Sequence, residues 1–333
     1  MDPTFVIAGR LRREYLLPPT GRPYIDVPGG NLLYTAAGLG IWDSHIGLLG
    51  RVGEDYPQEW LRSFEKRGWD TRGVHTLADA LDLRYFQAQL DLQTVQYANP
   101  VAHFARLGLP FPKSLLGYQP PAATDDRKTI HPASPRPSDI PPDYLDARAV
   151  HLCPLDFVTS ERLLSAFWQA NVTTFTLDPS AAYMTSTAFN DVRTILHGLT
   201  AFLPSEEELR NLFWGRTDDL WEMAEALGSL DCEFIVIKRG ARGQMLYDAV
   251  SKKRWEIPAY PAQLVDPTGA GDAFCGGFLA GYQKTYDPLR AVLYGSVSAS
   301  LAIEGSGAFH ALDALPGLAQ ARLVSLAESA RHV

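Results

Sequence analysis

Short apolar segments alternate with longer segments of helical periodicity along most of the chain. This alternation is typical of an α/β fold, in which helices connect parallel strands and cover both faces of the sheet. The strand candidates are residues 4–8, 44–49, 149–153, 173–177, 200–203 and 233–237. The helix candidates are residues 32–39, 57–66, 160–170, 205–213, 218–227, 270–284 and 288–302. The pattern predicts a mostly parallel central sheet between two layers of helices.

Three regions interrupt this alternation. Residues 11–27 and 83–98 are predicted to form extra strands, and we expect them to build a small β lid outside the central sheet. Residues 110–142 carry nine of the 24 prolines, and proline disfavours regular structure because it lacks a backbone N–H. We expect a loop or insertion there, within one domain that spans residues 1–333, although the length alone also permits two domains.

The composition excludes two classes of function. The 30 Lys and Arg residues against 38 Asp and Glu residues give a formal charge of −8, the wrong sign for long-range attraction to nucleic acid or an anionic membrane surface. Any anionic ligand must therefore be held locally. The longest segment without a charged side chain, residues 27–42, is shorter than the roughly 20 apolar residues of a membrane-spanning helix. The three cysteines form no Cys-x-x-Cys pair, which favours a reducing compartment, and we expect a cytoplasmic protein.

The segment from Asp266 to Asp272, with the sequence Asp-Pro-Thr-Gly-Ala-Gly-Asp, carries the strongest indication of chemistry. Its small residues lead into a predicted helix, so backbone N–H groups there can bind an anion, helped by a macrodipole of roughly half a positive charge. Asp272 adds a carboxylate in the first turn, which suits removal of a proton from a hydroxyl that attacks phosphorus. The alternative is that Asp272 only caps the helix, while the glycines permit close helix packing.

This segment, followed by Gly276-Gly277-Phe278-Leu279, resembles the C-terminal signature of the PfkB (ribokinase-like) carbohydrate kinase family. Pro28-Gly29-Gly30-Asn31, the run at 47–55, and the strand with a Gly-x-x-Gly turn at 236–243 are also similar to that family. The resemblance implies a ribokinase-like three-layer α/β/α sandwich, with a mostly parallel sheet of about eight or nine strands and a small β lid. A weaker likeness indicates a poorly characterised branch of the family known mainly from fungi.

The resemblance also implies roles for individual residues. Asp272 would be the general base, and the anion hole would consist of Gly269, Ala270 and Gly271. The residues implied at the nucleotide are Lys238, Gly240, Gly243, Thr268 and Ser296. The residues implied at the acceptor are Glu14, Gly29, Gly30, Asn31 and Tyr34. The implied metal ligands are Glu208 and Asp266, with ATP and Mg²⁺ as cofactors and a monovalent cation as a further candidate.

The chain departs from the family pattern at three positions. Glu14 stands where the family often has an aspartate that binds sugar hydroxyls, and Tyr34 stands where an asparagine is common. A longer carboxylate and a phenol change the shape and hydrogen bonding of the pocket, so the identity of the acceptor stays open. Ser205 replaces the asparagine of an Asn-x-x-Glu motif, and the resulting Ser-x-x-Glu, which ends at Glu208, is also a helix capping box.

Three arginines at the start of the first predicted lid region, one of them just before it, allow two interpretations. Arg10, Arg12 and Arg13 are either lid charges that meet the phosphate of a substrate or product, or part of a solvated charged strand.

The leading hypothesis is an ATP-dependent phosphotransferase that acts on a hydroxymethyl or similar alcohol group of a sugar, polyol or nucleoside. The chain has neither the Gly-x-x-x-x-Gly-Lys-[Ser/Thr] sequence of a P-loop nor the Gly-x-Gly-x-x-Gly of a dinucleotide-binding turn. The alternative is a catalytically inactive family member that serves as a ligand-binding or assembly module. As partners we expect a small-molecule acceptor and a second copy of the chain bound through the lid, but neither nucleic acid nor a membrane.

Overall fold

Two β sheets organise the chain, of which the structure, a computed structural model, describes residues 3–20, 22–91, 94–120 and 127–332. In chain order the strands are β1 (Phe5–Ala8), β2 (Arg12–Leu17), β3 (Tyr24–Gly29), β4 (Ile46–Val52), β5 (Asp70–Thr76), β6 (Arg84–Gln89), β7 (Val95–Gln96), β8 (Ala149–Leu152), β9 (Thr174–Leu177), β10 (Leu199–Phe202), β11 (Cys232–Lys238), β12 (Gln244–Asp248), β13 (Lys253–Ile257) and β14 (Arg331–His332). The larger sheet has ten strands in the order β14-β13-β12-β11-β10-β9-β8-β1-β4-β5. Its strands from β11 to β5 pair in parallel, whereas β12, β13 and β14 extend one edge in antiparallel pairs.

Helices cover both faces of the larger sheet. In chain order they are α1 (Asn31–Gly40), α2 (Gln58–Lys66), α3 (Pro100–Arg106), α4 (Phe157–Trp168), α5 (Phe189–Leu196), α6 (Glu206–Leu212), α7 (Leu220–Gly228), α8 (Ala270–Thr285), α9 (Pro288–Ala302) and α10 (Leu318–Ala327). Helices α4 to α7 share one apolar core with the sheet, and α1, α2, α8, α9 and α10 build the cores of the opposite face, whereas α3 packs on the smaller sheet instead. The predicted three-layer α/β/α sandwich is therefore confirmed.

None of the described helices is both long enough and apolar enough to span a lipid bilayer.

The structure differs from the sequence prediction mainly at the sheet edges. Strands β5, β12, β13 and β14 are not predicted, so the sheet has ten strands rather than about eight or nine. The edge strand β5 buries only Gly73 and Val74, and it therefore lacks the apolar run that marks a central strand. Helices α3, α5 and α10 are not predicted either. Helix α4 begins at Phe157 rather than at residue 160, because the Asp156 carboxylate accepts a hydrogen bond from the Thr159 N–H and caps the helix there.

The four-stranded sheet, in the order β3-β2-β6-β7, is the small β lid. One of its faces is apolar and is covered by α3 and the loop that follows it. The buried residues of this face and its cover are Tyr15, Leu17, Phe86, Ala88, Phe104, Leu115 and Tyr118. The opposite face carries polar side chains toward the central sheet. Residues 21, 92 and 93, which fall in the two predicted lid regions, lie outside the described residues.

The proline-rich region contains only short 3-10 turns in its described parts, 110–120 and 127–142. These turns are Lys113–Leu115, Pro137–Asp139 and the start of Pro142–Asp146. The region is held to the central sheet by an ion pair, in which the Arg51 Nε of β4 lies 2.6 Å from the Asp139 Oδ2. Residues 121–126 lie outside the described residues.

Helix α8 packs closely between α1 and α9 because its glycines face both neighbours. A Cβ atom at Gly276 would lie 2.0 Å from the Thr35 carbonyl oxygen of α1. A Cβ atom at Gly277 would lie 2.3 Å from the Ser298 Oγ of α9. The helix backbone therefore approaches its neighbours on both sides, which fixes the start of α8 relative to α1.

We predict that Gly276→Ala destabilises the fold, because the added methyl group meets the Thr35 carbonyl oxygen and forces α8 away from α1. Overpacking of this kind typically costs about 1–3 kcal/mol. Gly40→Ala is the matched control, because a Cβ atom there would lie 3.1 Å from the flexible end of Leu312. Chemical denaturation of both variants measures the difference. Equal free energies of unfolding for the two would contradict this packing.

Candidate active site

The carboxyl ends of the parallel strands meet at one edge of the larger sheet. From β1 the central sheet continues to β4 on one side, and from β8 it continues to β9 on the other, so the order reverses between β1 and β8. Ligands of open α/β sheets bind at such a switch point. The Asn31 side chain accepts a hydrogen bond from the Arg10 N–H at 2.7 Å and donates one to the Pro154 carbonyl oxygen at 2.8 Å. The start of α1 is thereby joined to the loops that follow β1 and β8.

A cavity of about 170 Å³ lies at this edge, between the lid and the start of α8. Three parts of the chain line it: the lid residues Arg12, Glu14, Tyr85 and Gln87, the α1 residues Asn31 and Tyr34, and the residues Thr268, Gly269 and Asp272 around the start of α8. Three predicted acceptor residues, Glu14, Asn31 and Tyr34, therefore share one small volume with the predicted general base, whereas Gly29 and Gly30 do not line it.

The start of α8 presents free backbone donors. Gly269 has a φ of +74°, which favours glycine, and the Tyr34 ring occupies the space that a side chain at Gly269 would need. The Ala270 N–H, predicted as part of the anion hole, donates to the Pro267 carbonyl oxygen at 3.2 Å. The N–H groups of Gly271 and Asp272 donate to no acceptor in the described ranges. Gly271 and Asp272 therefore offer the donors that are available to an anion.

Asp272 lies in the first turn of α8, partly buried at the cavity wall. Removal from bulk water raises the pKa of its carboxyl group to about 6. The cations Lys238 and Arg12 oppose this shift, and the neighbouring Glu14 carboxylate adds to it. Such a carboxylate is mostly ionised at neutral pH and accepts a proton more readily than an ordinary aspartate, which suits a general base.

The lid and α1 residues that line the cavity form its acceptor wall, named for the acceptor residues predicted there, and Glu14 lies at the centre. Its buried carboxylate accepts hydrogen bonds from the Gly30 N–H at 2.8 Å and from the Tyr34 hydroxyl at 2.9 Å. Gly29 is required beside it, because a Cβ atom there would lie 2.0 Å from the Glu14 carboxyl carbon. Gly30 has a φ of +96°, which also favours glycine. The two departures from the family pattern, Glu14 and Tyr34, are therefore one hydrogen-bonded pair, and the diglycine makes room for it.

Lys238, at the end of β11, lies against the start of α8. Its Nζ is 3.5 Å from the position that a Cβ atom at Gly271 would occupy. The ammonium group pairs with the Asp178 carboxylate, which also accepts a hydrogen bond from the Cys275 thiol at 3.4 Å. Burial raises the pKa of Asp178 to about 6, and loss of hydration raises the pKa of Glu208 to about 7. The ion pair of Lys238 and Asp178 thus lies beside the first turns of α8.

The two predicted metal ligands have different surroundings. Glu208 accepts hydrogen bonds from both the N–H and the hydroxyl of Ser205 at 2.7 Å, so the capping box is confirmed. Asp266 Oδ1 accepts a hydrogen bond from the Thr268 N–H at 3.0 Å. The buried Asp266 Oδ2 has no hydrogen-bond partner in the part of the chain that the structure describes. A buried, unpartnered carboxylate oxygen suits a cation, because an isolated charge there is costly.

No group of three or more His, Cys, Asp or Glu side chains within the described ranges could by itself hold a metal ion. Mg²⁺ does not require such a group, since it usually keeps several waters and binds one or two protein carboxylates together with the phosphates of a substrate. The unpartnered oxygen of Asp266 is therefore compatible with that ion.

The other predicted nucleotide residues lie around β11, β12 and α9. Gly240 and Gly243 form the turn between β11 and β12, and a Cβ atom at Gly243 would lie 2.0 Å from the Ile257 carbonyl oxygen. The Ser296 hydroxyl donates to Gln244 Oε1 at 2.7 Å, in the contact between α9 and β12. These predicted residues do not line the cavity described above.

Sequence reasoning missed three residues of this site: Tyr85, Gln87 and Asp178. Gln87 Nε2 donates to Thr268 Oγ1 at 2.6 Å and so connects the lid to the loop before α8. The period-two alternation of β6 indicates that Tyr85 and Gln87 share a face, but it does not indicate what that face contacts. Asp178 directly follows β9, and a polar residue at the carboxyl end of a parallel strand is a signal that was available.

Known proteins resemble this chain over most of its length. The model of the pfkB family carbohydrate kinases matches residues 144–315. A cytidine kinase of Thermococcus kodakarensis is 27% identical over 280 residues, which cover 84% of this chain and 88% of the relative.

Solved structures share the fold. A ribokinase of Thermotoga maritima has a TM-score of 0.68 at 18% identity, over 98% of this chain and 99% of that chain. A fructokinase of Xylella fastidiosa with bound ATP has a TM-score of 0.71 at 18% identity, over the same shares of the two chains. The predicted ribokinase-like fold is thus confirmed. The family model matches just over half of the chain, and the matched part contains α8 and Asp272. The protein therefore belongs to the pfkB family of carbohydrate kinases and is a kinase of the carbohydrate or nucleoside class.

Proposed function

We propose that the protein transfers the γ-phosphoryl group of ATP to an alcohol of a small acceptor, with Asp272 as the general base. One observation carries the proposal: a single cavity is lined by the Asp272 carboxylate, the start of α8 and the acceptor wall around Glu14. A base, an anion site and an acceptor wall therefore contact one small volume, as positioned phosphoryl transfer requires. The ATP bound to the fructokinase of the same fold supports ATP as the donor.

In the proposed step, the acceptor hydroxyl oxygen attacks the γ-phosphorus of ATP. A new oxygen–phosphorus bond forms while the bond between the γ-phosphorus and its bridging oxygen breaks, and ADP leaves with that oxygen. Asp272 accepts the hydroxyl proton. The free N–H groups of Gly271 and Asp272, at the positive end of the α8 macrodipole, stabilise the charge on the phosphoryl oxygens.

Positive charge at the nucleotide phosphates has two proposed sources. Mg²⁺, when bound, neutralises phosphate charge, and Asp266 and Glu208 are the residues that would hold it. The unpartnered oxygen of Asp266 supports this assignment for Asp266. Lys238 supplies a fixed cation from the chain itself, next to Gly271.

We propose a nucleoside as the acceptor. The cytidine kinase that resembles most of this chain supports this class. The Glu14 carboxylate, fixed by Gly30 and Tyr34, retains lone pairs that can accept hydrogen bonds from ribose hydroxyls.

An ADP-release assay with ATP, Mg²⁺ and an acceptor panel tests the function. The panel contains cytidine, the other common nucleosides, ribose, fructose and inositol. We expect turnover with at least one nucleoside, at a higher kcat/KM than with any sugar or polyol. Faster turnover with a sugar would contradict the nucleoside assignment alone. ATP binding without turnover of any acceptor would favour a ligand-binding module instead of a kinase.

We predict that Asp272→Asn removes nearly all transfer and leaves the fold intact. Asparagine keeps the size of aspartate and lacks only the base, and the Asp272 side chain does not cap α8. Loss of a general base typically lowers kcat about a hundredfold to ten-thousandfold. The variant should melt within a few degrees of the parent and bind nucleotide normally. Activity of the parent should fall as the pH drops through about 6, because protonated Asp272 accepts no further proton. Retained kcat in the variant would contradict the role of Asp272 as the general base.

Gly271→Val tests the anion site. A first methyl group fits, because a Cβ atom would lie 3.5 Å from the Lys238 Nζ and the backbone is unstrained, so stability should fall only modestly. The branched side chain would crowd the free N–H groups and Lys238, and kcat/KM for ATP should fall about a hundredfold. Gly271→Ala serves as the graded control with a smaller loss. Unchanged kinetics of Gly271→Val would refute the anion site.

A further inference from the structure

We propose that Arg12 of the lid binds the transferred phosphoryl group, both in the transition state and in the phosphorylated product. This inference rests on the proposed phosphoryl transfer and assigns it one more catalytic residue. The lid would then supply charge to the reaction as well as a wall for the acceptor.

The structure separates Arg12 from the two arginines beside it in the sequence. The Arg10 guanidinium lies 3.8 Å from the Asp156 carboxylate. The Arg13 guanidinium donates two hydrogen bonds to Asp26, at 3.0 and 2.7 Å. The Arg12 guanidinium forms neither an ion pair nor a hydrogen bond with any residue in the described ranges, and an aromatic ring is its neighbour. Of the three arginines, Arg12 is therefore the one whose charge is not already paired.

Tyr85 holds the Arg12 guanidinium at the cavity. The guanidinium carbon lies 4.0 Å from the centre of the Tyr85 ring, a contact that orders a flexible side chain without neutralising its charge. Arg12 and Glu14 are two residues apart on β2 and so share one face of the strand, whereas Arg13 points to the other face. Arg12, Glu14 and Asp272 consequently line the same cavity.

The charge balance of the cavity indicates what Arg12 binds. Among the described residues that line the cavity, Glu14 and Asp272 are acidic and Arg12 is the one basic residue. Arg12 opposes the rise in the pKa of both carboxyl groups, so its field reaches both. A phosphoryl group that enters between two carboxylates meets repulsion, which a guanidinium at the same place offsets. The planar fork of arginine also suits two phosphoryl oxygens at once.

The same guanidinium would also suit a carboxylate on an acidic acceptor. We favour the phosphoryl group, because Arg12 lines the same cavity as Asp272, and Asp272 must contact the hydroxyl that attacks phosphorus. The two cases differ in kinetics: a residue that binds the transferred group changes kcat, whereas one that binds only the acceptor changes KM.

The first experiment needs no identified acceptor, because Mg²⁺-ADP with aluminium fluoride mimics a phosphoryl group in transfer. It compares melting temperatures of the parent, Arg12→Met, Arg12→Lys and Arg13→Met, with Mg²⁺-ADP alone and with aluminium fluoride added. Arg13→Met is the matched control, since Arg13 lies on the opposite face of the same strand. We expect ADP to stabilise all four proteins equally. Aluminium fluoride should then stabilise the parent and Arg13→Met further, Arg12→Lys less, and Arg12→Met least, because only the other phosphate-binding groups remain in that variant.

The second experiment uses cytidine, or whichever panel compound is phosphorylated fastest. The kcat of Arg12→Met should fall about a hundredfold to a thousandfold, as for loss of an oxyanion donor. The acceptor KM should stay within about threefold of the parent, because Arg12 contributes to the transition state rather than to acceptor binding.

Several results would overturn the inference. They are an equal aluminium fluoride effect in the parent and Arg12→Met, no aluminium fluoride effect in the parent, and a raised acceptor KM with unchanged kcat. The last result would assign Arg12 to the acceptor. If Mg²⁺-ADP alone failed to stabilise the parent, the proposed function itself would be rejected, and the inference with it.

Discussion

The close contact between α1 and α8 fixes the distance between two sides of the cavity, and the site depends on this distance. A Cβ atom at Gly38 would lie 2.2 Å from the Ala273 carbonyl oxygen, one residue after Asp272. At its other end α1 begins with Asn31, which is hydrogen-bonded to the loops after β1 and β8. The separation between Tyr34 of α1 and Asp272 of α8 is therefore fixed by the close approach of the two helix backbones. Close packing transmits small shifts, so a small displacement of α8 would move the base away from the acceptor.

The site also concentrates charge in a small, poorly hydrated volume. Burial raises the pKa of Glu14, and loss of hydration raises the pKa of Asp272 to about 6. Arg12 opposes both shifts and Lys238 opposes that of Asp272, so the pKa of Asp272 stays close to the pH at which a carboxyl group can exchange a proton. The same low hydration strengthens the attraction between a phosphoryl group and the donors around it. These buried charges reduce the free energy of unfolding and increase the reactivity of the site.

Local sequence patterns predict the parallel strands, α8 and Asp272, because a buried strand or a helix start leaves its signal within a few residues. They do not predict β5, which buries two residues only. Contacts between distant residues leave no local signal: Asp178 meets Lys238 from 60 residues away, and Gln87 meets Thr268 from 181 residues away. The pairing of Glu14 with Tyr34 leaves no local signal either, because it forms only where the lid and α1 meet.

The most direct measurement of this arrangement is the pKa of the Asp272 carboxyl group in the folded protein. A ¹³C NMR titration of the carboxyl carbons provides it, with Asp272→Asn to identify the resonance. A carboxylate held at the cavity wall beside Glu14 should titrate at about 6. Titration near the ordinary aspartate value of about 4 would show a well-hydrated carboxylate and would contradict the role of Asp272 as a desolvated general base.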